Sequence, residues 1–511
     1  MSKQEKIIYL LFPFLIFLPF LFWLRRYLNI DFWYDEVFTL TNYVFCPIAK
    51  TLSDYSFPNN HIFANLLNNL YLRILGIKDI YQLLATPYKI RLLELFYTGV
   101  GLFYLYRIGK EFFDENVAFL SLSVLTTTVT YYNFVLQVRG FSLSLMLVTI
   151  LLFYILKYIE APRPLSAIVI ILSTAFLLYT IPSNLYLLLG VFGYYFLSLL
   201  RGKREKRKKR EERVKISSWE RRNQISLLFL LFLGILLSGL FYSPVLRDVV
   251  SNRFIRSYGL FYLPTLFSSL PFTLAHFFSA RYLFLPLIII GLFSYGRKKE
   301  RMSLGFLFSL LLLPFIFSFV RGDRPYLRIF VILTPIFALS ISVLLAGALH
   351  FISGHFRRKE VFPFLLLGII LYNQITFAFQ IREIERRLAR DIEEGVQSQD
   401  LNYNYYQAHY QPLCLLREFK EIYDAKPQKV FLVEYDRAAL PVYLEKFAIP
   451  WEQFTSLEQL RKEVLERGGC YVITALPNNF LRILSYLSEF EVKKINSGLD
   501  FHRIFEIKKR Q

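Results

Sequence analysis

Cysteine is scarce in this chain: three residues, Cys46, Cys414 and Cys470, among 511. No CxxC pair and no Cys/His cluster occurs, which argues against a structural zinc site. Cys414 and Cys470 both lie late in the chain and could bridge, but spacing alone does not fix the geometry a disulfide needs. No internal repeat is found, so the usual sequence pointer to an inverted-repeat transporter is missing. Acidic residues are in deficit, 39 against 60 Lys and Arg, for a net charge of +21. A basic excess can mean nucleic acid. Here most of it sits in short loops between apolar runs, the pattern of orientation signals and anionic-lipid contact. No nucleic-acid partner is expected.

What is abundant is apolar. The chain is 55% hydrophobic and 18% aromatic, with 53 phenylalanines, and its mean hydropathy is +0.39. The apolar residues gather in runs of about 17–22, the length that crosses a bilayer as a helix. The expected fold is therefore a polytopic α-helical membrane protein, with membrane lipids among its partners. The first run, Ile7–Leu24, follows Lys3 and Lys6, lacks a small-x-small cleavage site and ends in Arg25–Arg26. That reads as a retained signal anchor. Further spans are expected near 88–108, 115–135, 140–157, 165–181, 184–200, 225–245, 281–296, 303–320, 329–349 and 361–380. The stretch Arg201–Gln224 carries twelve Lys/Arg against four Glu, and Gly296–Met302 and His350–Glu360 are also basic. With the N-terminus inside, about eleven crossings put all three in the cytoplasm. The same count puts 25–87, 136–140, 246–280 and 321–328 outside. The expected location is the inner (plasma) membrane.

After the last span, Ile381–Glu394 is charged and helical in pattern. Beyond it Lys429–Tyr435, Cys470–Thr474 and Phe501–Ile507 read as strands, and Leu457–Arg467 and Asn479–Leu487 as helices. The expected division is a membrane module over 1–380 and a small α/β domain on the outer side over 381–511. The tyrosine-rich run Asn402–Tyr410 could stack on sugar or pack the domain at the membrane interface.

Chemistry is concentrated where the chain leaves its first span. Asp31, Asp35 and Glu36 lie within six residues, interleaved with Phe32, Trp33 and Tyr34. A carboxylate at a water–lipid boundary is costly to hold unless it is solvated, paired or used. It could cap a short helix, act as a general base, orient a hydroxyl or bind a metal. Downstream come Pro58–Asn59–Asn60–His61 and then Ile62–Ile74, whose Asn65, Asn68 and Asn69 share one side, as in a helix lying in the interface. His61 and His276 flank the two polar outer stretches and could join Glu36 around a divalent ion, or be ordinary loop histidines.

In order and topology the chain resembles the polyprenyl-phosphate-dependent GT-C glycosyltransferases, the superfamily of the protein O-mannosyltransferases and the lipid A aminoarabinose transferase. The resemblance rests on Asp35–Glu36 after the first span, the Pro58–His61 patch before an interfacial helix, and Arg91 opening the second span. It continues with the aromatic-and-Arg turn Tyr131–Ser142 and with Arg324–Pro325–Tyr326–Leu327–Arg328 followed by Pro335. It covers roughly residues 1–350 in arrangement. No acidic residue occurs in 136–140, where some relatives place a second functional carboxylate, so no role for such a group carries over.

The resemblance implies a GT-C fold and an inverting transfer of one sugar from a polyprenyl-phosphate donor to a lipid, glycan or protein acceptor on the outer face. Asp35 would deprotonate or orient the acceptor, and Glu36 would support it directly or through a divalent metal ion. Cations would stabilise the departing phosphate. The candidates are Arg139, Arg281, Arg324 and Arg328, with Arg91, Asn60, His61 and Tyr326 as further substrate contacts. For Arg139 an interfacial anchor reaching to headgroups is the competing reading. Other functions compatible with the sequence are a flippase for a lipid-linked saccharide, an O-antigen polymerase or ligase, and a scaffold displaying the outer domain. The scaffold leaves the acid, His and Arg series unexplained.

Overall fold

The computed structural model describes residues 3–206, 214–251, 259–279, 281–294, 298–322, 327–355, 361–394, 411–433, 439–474, 489–495 and 502–510. Arg324, Tyr326, Asn402–Tyr410 and Asn479–Leu487 lie outside the described residues. In chain order the helices are α1 (Lys3–Leu28), α2 (Tyr34–Thr39), α3 (Ile48–Ser53), α4 (Ile62–Ile74), α5 (Ile80–Leu84), α6 (Tyr88–Phe112) and α7 (Glu115–Thr126). Next come α8 (Val129–Phe134), α9 (Phe141–Glu160), α10 (Pro164–Thr180), α11 (Leu185–Lys206), α12 (Val214–Phe241), α13 (Leu246–Val250) and α14 (Leu270–Phe278). The last are α15 (Phe284–Ser294), α16 (Lys298–Arg321), α17 (Thr334–His355), α18 (Phe362–Glu393), α19 (Pro412–Ala425), α20 (Leu440–Lys446) and α21 (Leu457–Arg467).

Among the described residues seven stretches are long and apolar enough to cross a membrane: Glu5–Leu28, Phe141–Glu160, Pro182–Leu200, Arg221–Phe241, Leu304–Arg321, Arg328–His355 and Phe362–Asp391. Three shorter apolar helices, α7, α10 and α15, join them. The 25-residue α6 carries Arg91, Glu94, Arg107 and Lys110 towards its ends. These helices account for the eleven apolar segments of the sequence. The segment expected as one span over 115–135 breaks after Thr126. The hydroxyls of Thr126, Thr127 and Thr128 donate back to the carbonyls of Leu122, Ser123 and Val124 at 2.6–2.8 Å. Those bonds satisfy the last carbonyls of α7 from side chains, and the chain restarts as α8.

The chain divides into two compact units. The first holds Met1–Leu24, Pro47–Asn68 and Leu92–Gln380. Its centre is α17, buried along nearly its whole length, with α7, α15 and α16 packed on it. Gly291 permits the closest of these approaches: a Cβ there would lie 2.2 Å from the Leu344 carbonyl oxygen. Small residues at such crossings let helices pack tightly where lipid gives no hydrophobic push. Outward faces are apolar instead of polar, as at Leu10, Phe14 and Leu18 on α1 and Phe229, Phe232 and Leu236 on α12. Helix α4 follows the same inverted logic: Asn65, Asn68 and Asn69 are buried, and Leu70 and Ile74 are exposed.

The second unit holds Arg25–Cys46, Asn69–Arg91 and Ile381–Gln511. The acid loop thus shares a unit with the C-terminal α/β residues. A five-stranded mixed sheet in the order β2-β1-β3-β5-β4 forms its core, from β1 (Lys429–Val433), β2 (Glu452–Gln453), β3 (Gly469–Thr474), β4 (Phe490–Lys494) and β5 (Arg503–Lys509). β1 runs parallel to β2 and β3, whereas β5 is antiparallel to β3 and β4. Leu460 and Val464 of α21 pack on Phe431, Val472, Phe505 and Ile507. β2 and β4 are too short and polar to stand out in the sequence, and only pairing defines them. The cysteines are all free: Cys414 is exposed and Cys470 is buried in β3. Burial, then the nearby Glu463, pushes the Cys470 thiol up to about 12. Because the thiolate is the reactive form, Cys414 should alkylate readily in the folded protein at pH 8, and Cys470 only after denaturation. Peptide mapping by mass spectrometry checks this, and equal labelling of the two would overturn the buried placement.

Candidate functional site

The acid loop is built around one guanidinium. α1 ends at Leu28, leaving carbonyls with no helical partner. Arg91, at the start of α6, donates Nη1 to the carbonyls of Tyr27 at 2.7 Å, Leu28 at 3.4 Å and also Ile30. Its Nη2 meets Glu36 Oε2 at 3.3 Å, with both side chains about 2% exposed or less. The guanidinium also lies over the Phe32 ring, 4.9 Å from its centroid. Glu36 Oε2 further accepts the Trp33 N–H at 2.9 Å, an N-terminal bond that starts α2. Asp35 and Glu36 both fall in the first turn of α2, where the helix dipole favours negative charge. Glu36 is buried and engaged, whereas Asp35 is half-buried.

The rest of the same unit holds this loop in place. Asp31 Oδ2 accepts the Leu413 N–H of α19 at 2.8 Å. The Tyr443 hydroxyl of α20 donates to the Phe32 carbonyl at 3.0 Å. Burial first, then the charges of Asp31 and Glu36, raises the Tyr443 phenol well above its usual value, so it stays protonated as a donor. Next to it Tyr81 donates to Glu445 at 2.6 Å. That bond, ahead of burial, pushes the Tyr81 phenol up to about 12.

The first unit carries a separate feature, a cavity of about 580 Å³. Its polar wall includes Asn59, His61, Arg139, Asn184, Arg321 and Arg328, and most of the remainder is aliphatic or aromatic. Among the described residues no Asp or Glu lines it. Arg139 sits in the turn from α8 to α9. Its Nη2 donates to Asn59 Oδ1 at 3.2 Å, and its guanidinium lies 5.5 Å from the Phe141 ring centroid. The turn itself is pinned by His61, whose Nδ1–H donates to the Arg139 carbonyl. Gly140 follows with φ +71°, and a Cβ there would press within 3.0 Å of both Ala64 Cβ and Thr180 Cγ2. Only glycine meets both demands. Arg321 closes α16 and is fixed by a second glycine contact. Gly322 has φ +76°, and a Cβ on it would fall 1.7 Å from the Gly259 carbonyl oxygen.

These placements sort the expected site residues. His61, Arg139 and Arg328 line one cavity. Asn60 does not; its amide is spent on the carbonyls of Thr51 and Asp54 at 2.8 and 2.7 Å, bracing the loop before α4. Arg91 is engaged by the α1 carbonyls and Glu36 and lies outside that cavity. Arg281 is also outside it. It is 2% exposed, with Nη2 reaching Thr127 Oγ1 at 2.9 Å and the Thr127 carbonyl at the end of α7, and Nη1 reaching the Phe277 carbonyl of α14 at 3.2 Å. The metal set Glu36, His61 and His276 is not assembled. Among the described residues no three His, Cys, Asp or Glu side chains gather, and His276 Nδ1 bonds the Phe272 carbonyl of its own helix at 2.7 Å. Arg321 and Asn184 are not among the expected site residues, and Asn59 enters there only within the Pro58–His61 patch. Arg321 was findable, because it heads the same Arg-rich run, Arg321–Arg328, that supplied Arg328.

Breaking a buried pair by removing one partner typically costs about 3–5 kcal/mol. Arg91→Met should therefore destabilise the chain by about that much, with Glu36→Gln milder because its carbonyl still accepts. Thermal unfolding in nanodiscs reads both, and a wild-type transition for Arg91→Met would contradict the bracing role.

No family model and no curated protein matches the chain. Among solved structures it is similar to ArnT from Cupriavidus metallidurans bound to undecaprenyl phosphate, at 11% identity and a TM-score of 0.52, over 99% of this chain and 98% of that one. The apo state of the same ArnT gives 11% identity and a TM-score of 0.48 over the same shares. The archaeal oligosaccharyltransferase AglB from Archaeoglobus fulgidus, in complex with an inhibitory peptide and a dolichol-phosphate, gives 10% identity and a TM-score of 0.36 over 81% of this chain and 61% of that one. The match to undecaprenyl-phosphate-bound ArnT shows that this chain has an ArnT-like GT-C fold: many membrane helices with a small mixed sheet near the C-terminus.

Proposed function

We propose that this chain is an integral membrane glycosyltransferase that moves one sugar from a polyprenyl-phosphate donor to an acceptor at the outer face, with inversion. The observation that carries the reading is the cavity of the first unit. Three guanidinium groups, from Arg139, Arg321 and Arg328, share a wall that is otherwise mostly apolar and, among the described residues, free of acid. An anionic phosphate on a lipid tail fits that chemistry, and arginine suits it better than lysine because its planar donors pair two phosphate oxygens at once. The ArnT-like fold supports the same class.

The acceptor hydroxyl or amine attacks the anomeric carbon, its proton passes to a carboxylate base, the role the resemblance gives Asp35, and the sugar–phosphate C–O bond breaks. Polyprenyl phosphate leaves with an added negative charge, which Arg139, Arg321 and Arg328 stabilise most in the transition state. Glu36 positions; it does not take the proton, because Arg91 and the Trp33 N–H hold its carboxylate. Among the described residues the side chains expected to bind a divalent ion are not gathered into a site for one. The acceptor class stays a lipid, glycan or protein. The basic stretches Arg201–Gln224, Gly296–Met302 and His350–Glu360 favour an inner-membrane protein with its N-terminus in the cytoplasm and the α/β residues outside.

The test uses purified chain in nanodiscs, a panel of polyprenyl-phosphate sugars with lipid, glycan and peptide acceptors, and release of free polyprenyl phosphate. Wild type should release it with one donor. Asp35→Asn should lose roughly 10²–10⁴-fold in kcat, the range of general-base catalysis, with its thermal transition kept. Failure of every donor and acceptor, together with passage of an intact lipid-linked saccharide across vesicles, would replace the enzyme by a flippase. Arg321→Gln and Arg328→Gln should each weaken the donor about tenfold or more, each lost charge-assisted bond being worth about 1.5–3 kcal/mol. Unchanged donor KM and kcat in both would remove the cavity from the reaction.

A further inference from the structure

We propose that the charged end of α18 is a binding surface for anionic phospholipid headgroups, separate from the donor cavity. The helix runs unbroken from Phe362 to Glu393. Its apolar run ends at Gln380, and arginines follow at 382, 386, 387 and 390. Arg382, Arg386 and Arg390 are spaced four residues apart and exposed, so they form one stripe, with Ile381, Ile384 and Leu388 buried on the other side. Among the described residues no ion pair holds any of the three.

The acids on the same helix do not neutralise that stripe. Glu383 pairs with Arg387 at 3.7 Å and Glu385 with Arg26 at 2.8 Å, while Asp391 and Glu393 lie past its last arginine. Like charges four residues apart on a helix repel, and this stripe contains two such pairs in succession. An anion laid along it reverses the penalty. Arg25 and the partnered Arg26, both exposed, widen the basic zone at the end of α1. The stripe begins two residues after an apolar run long enough to cross a bilayer, which is headgroup depth. Guanidinium groups there meet lipid phosphates, and a leaflet rich in phosphatidylglycerol supplies them with net negative charge. This assignment does not depend on the donor or the chemistry.

The full chain is reconstituted without donor in nanodiscs of phosphatidylcholine with and without phosphatidylglycerol. Native mass spectrometry counts retained lipid, and thermal unfolding is followed in parallel. Wild type should retain phosphatidylglycerol over phosphatidylcholine and unfold at a higher temperature with it, with both effects weakening as salt rises. The Arg382→Gln/Arg386→Gln/Arg390→Gln variant should lose most of that retention several-fold, and the matching Arg→Lys variant should keep it. A control, Arg417→Gln/Arg461→Gln/Arg467→Gln, removes the same charge from exposed positions of the C-terminal α/β residues. Equal retention of the two lipids by wild type overturns the proposal without need of any variant. So does full retention by the folded glutamine variant, or an equal loss in the control.

Discussion

A helix that ends near lipid leaves carbonyls for which the membrane offers no water, and something in the protein must answer them. In this chain buried arginines do so. Arg91 gathers the last carbonyls of α1 and then uses its remaining donors on Glu36, so one side chain ends the first span and starts α2. Arg281 does the same at the end of α7, where the threonine hydroxyls have already turned back on their own helix. Each guanidinium spends both terminal nitrogens on protein acceptors. Those hydrogen bonds offset the cost of burial, which is the condition under which a buried charge persists.

Arg139 is deployed differently. Its carbonyl, not its guanidinium, is the anchor point, held by His61 while Gly140 turns the chain into α9. Asn59 and the Phe141 ring then aim the guanidinium along the cavity wall. At the end of α16 the close contact of Gly322 with the Gly259 carbonyl fixes the backbone next to Arg321, whose side chain lines the same cavity.

That contrast explains what was legible in the sequence. Run length and charge placement revealed the membrane class, the eleven apolar segments and helices such as Ile62–Ile74 and Leu457–Arg467, whose bounds the structure reproduces. Hydropathy reports on the solvent around a helix, and lipid is an unambiguous one. The destination of an arginine is another matter. Arg91, Arg139 and Arg281 all sit at the edge of apolar runs, and nothing local tells a guanidinium that caps carbonyls from one that lines a cavity. Asn60 and Asn59 make the same point one residue apart: the first is spent on Thr51 and Asp54, and the second faces the cavity. β2 and β4 were missed because two and five residues of mixed polarity acquire meaning only beside their partner strands.

Charge separation is the last constraint. A carboxylate beside a guanidinium largely cancels it, as Glu36 and Arg91 show at 3.3 Å, and a cancelled pair neither binds phosphate nor takes a proton. The proposed transfer from a lipid phosphate needs a base and cations that both keep their charge. The sequence supplies two adjacent acids, and the structure gives Glu36 the inward place. Arg91's charge is thereby consumed within the scaffold, where it orders the loop. Asp35, one residue earlier on the same turn, is rotated by about 100° from that contact, the angular step of a helix. Adjacent acids at the start of a helix thus take different surroundings, Glu36 buried and holding the turn, Asp35 half-buried beside it.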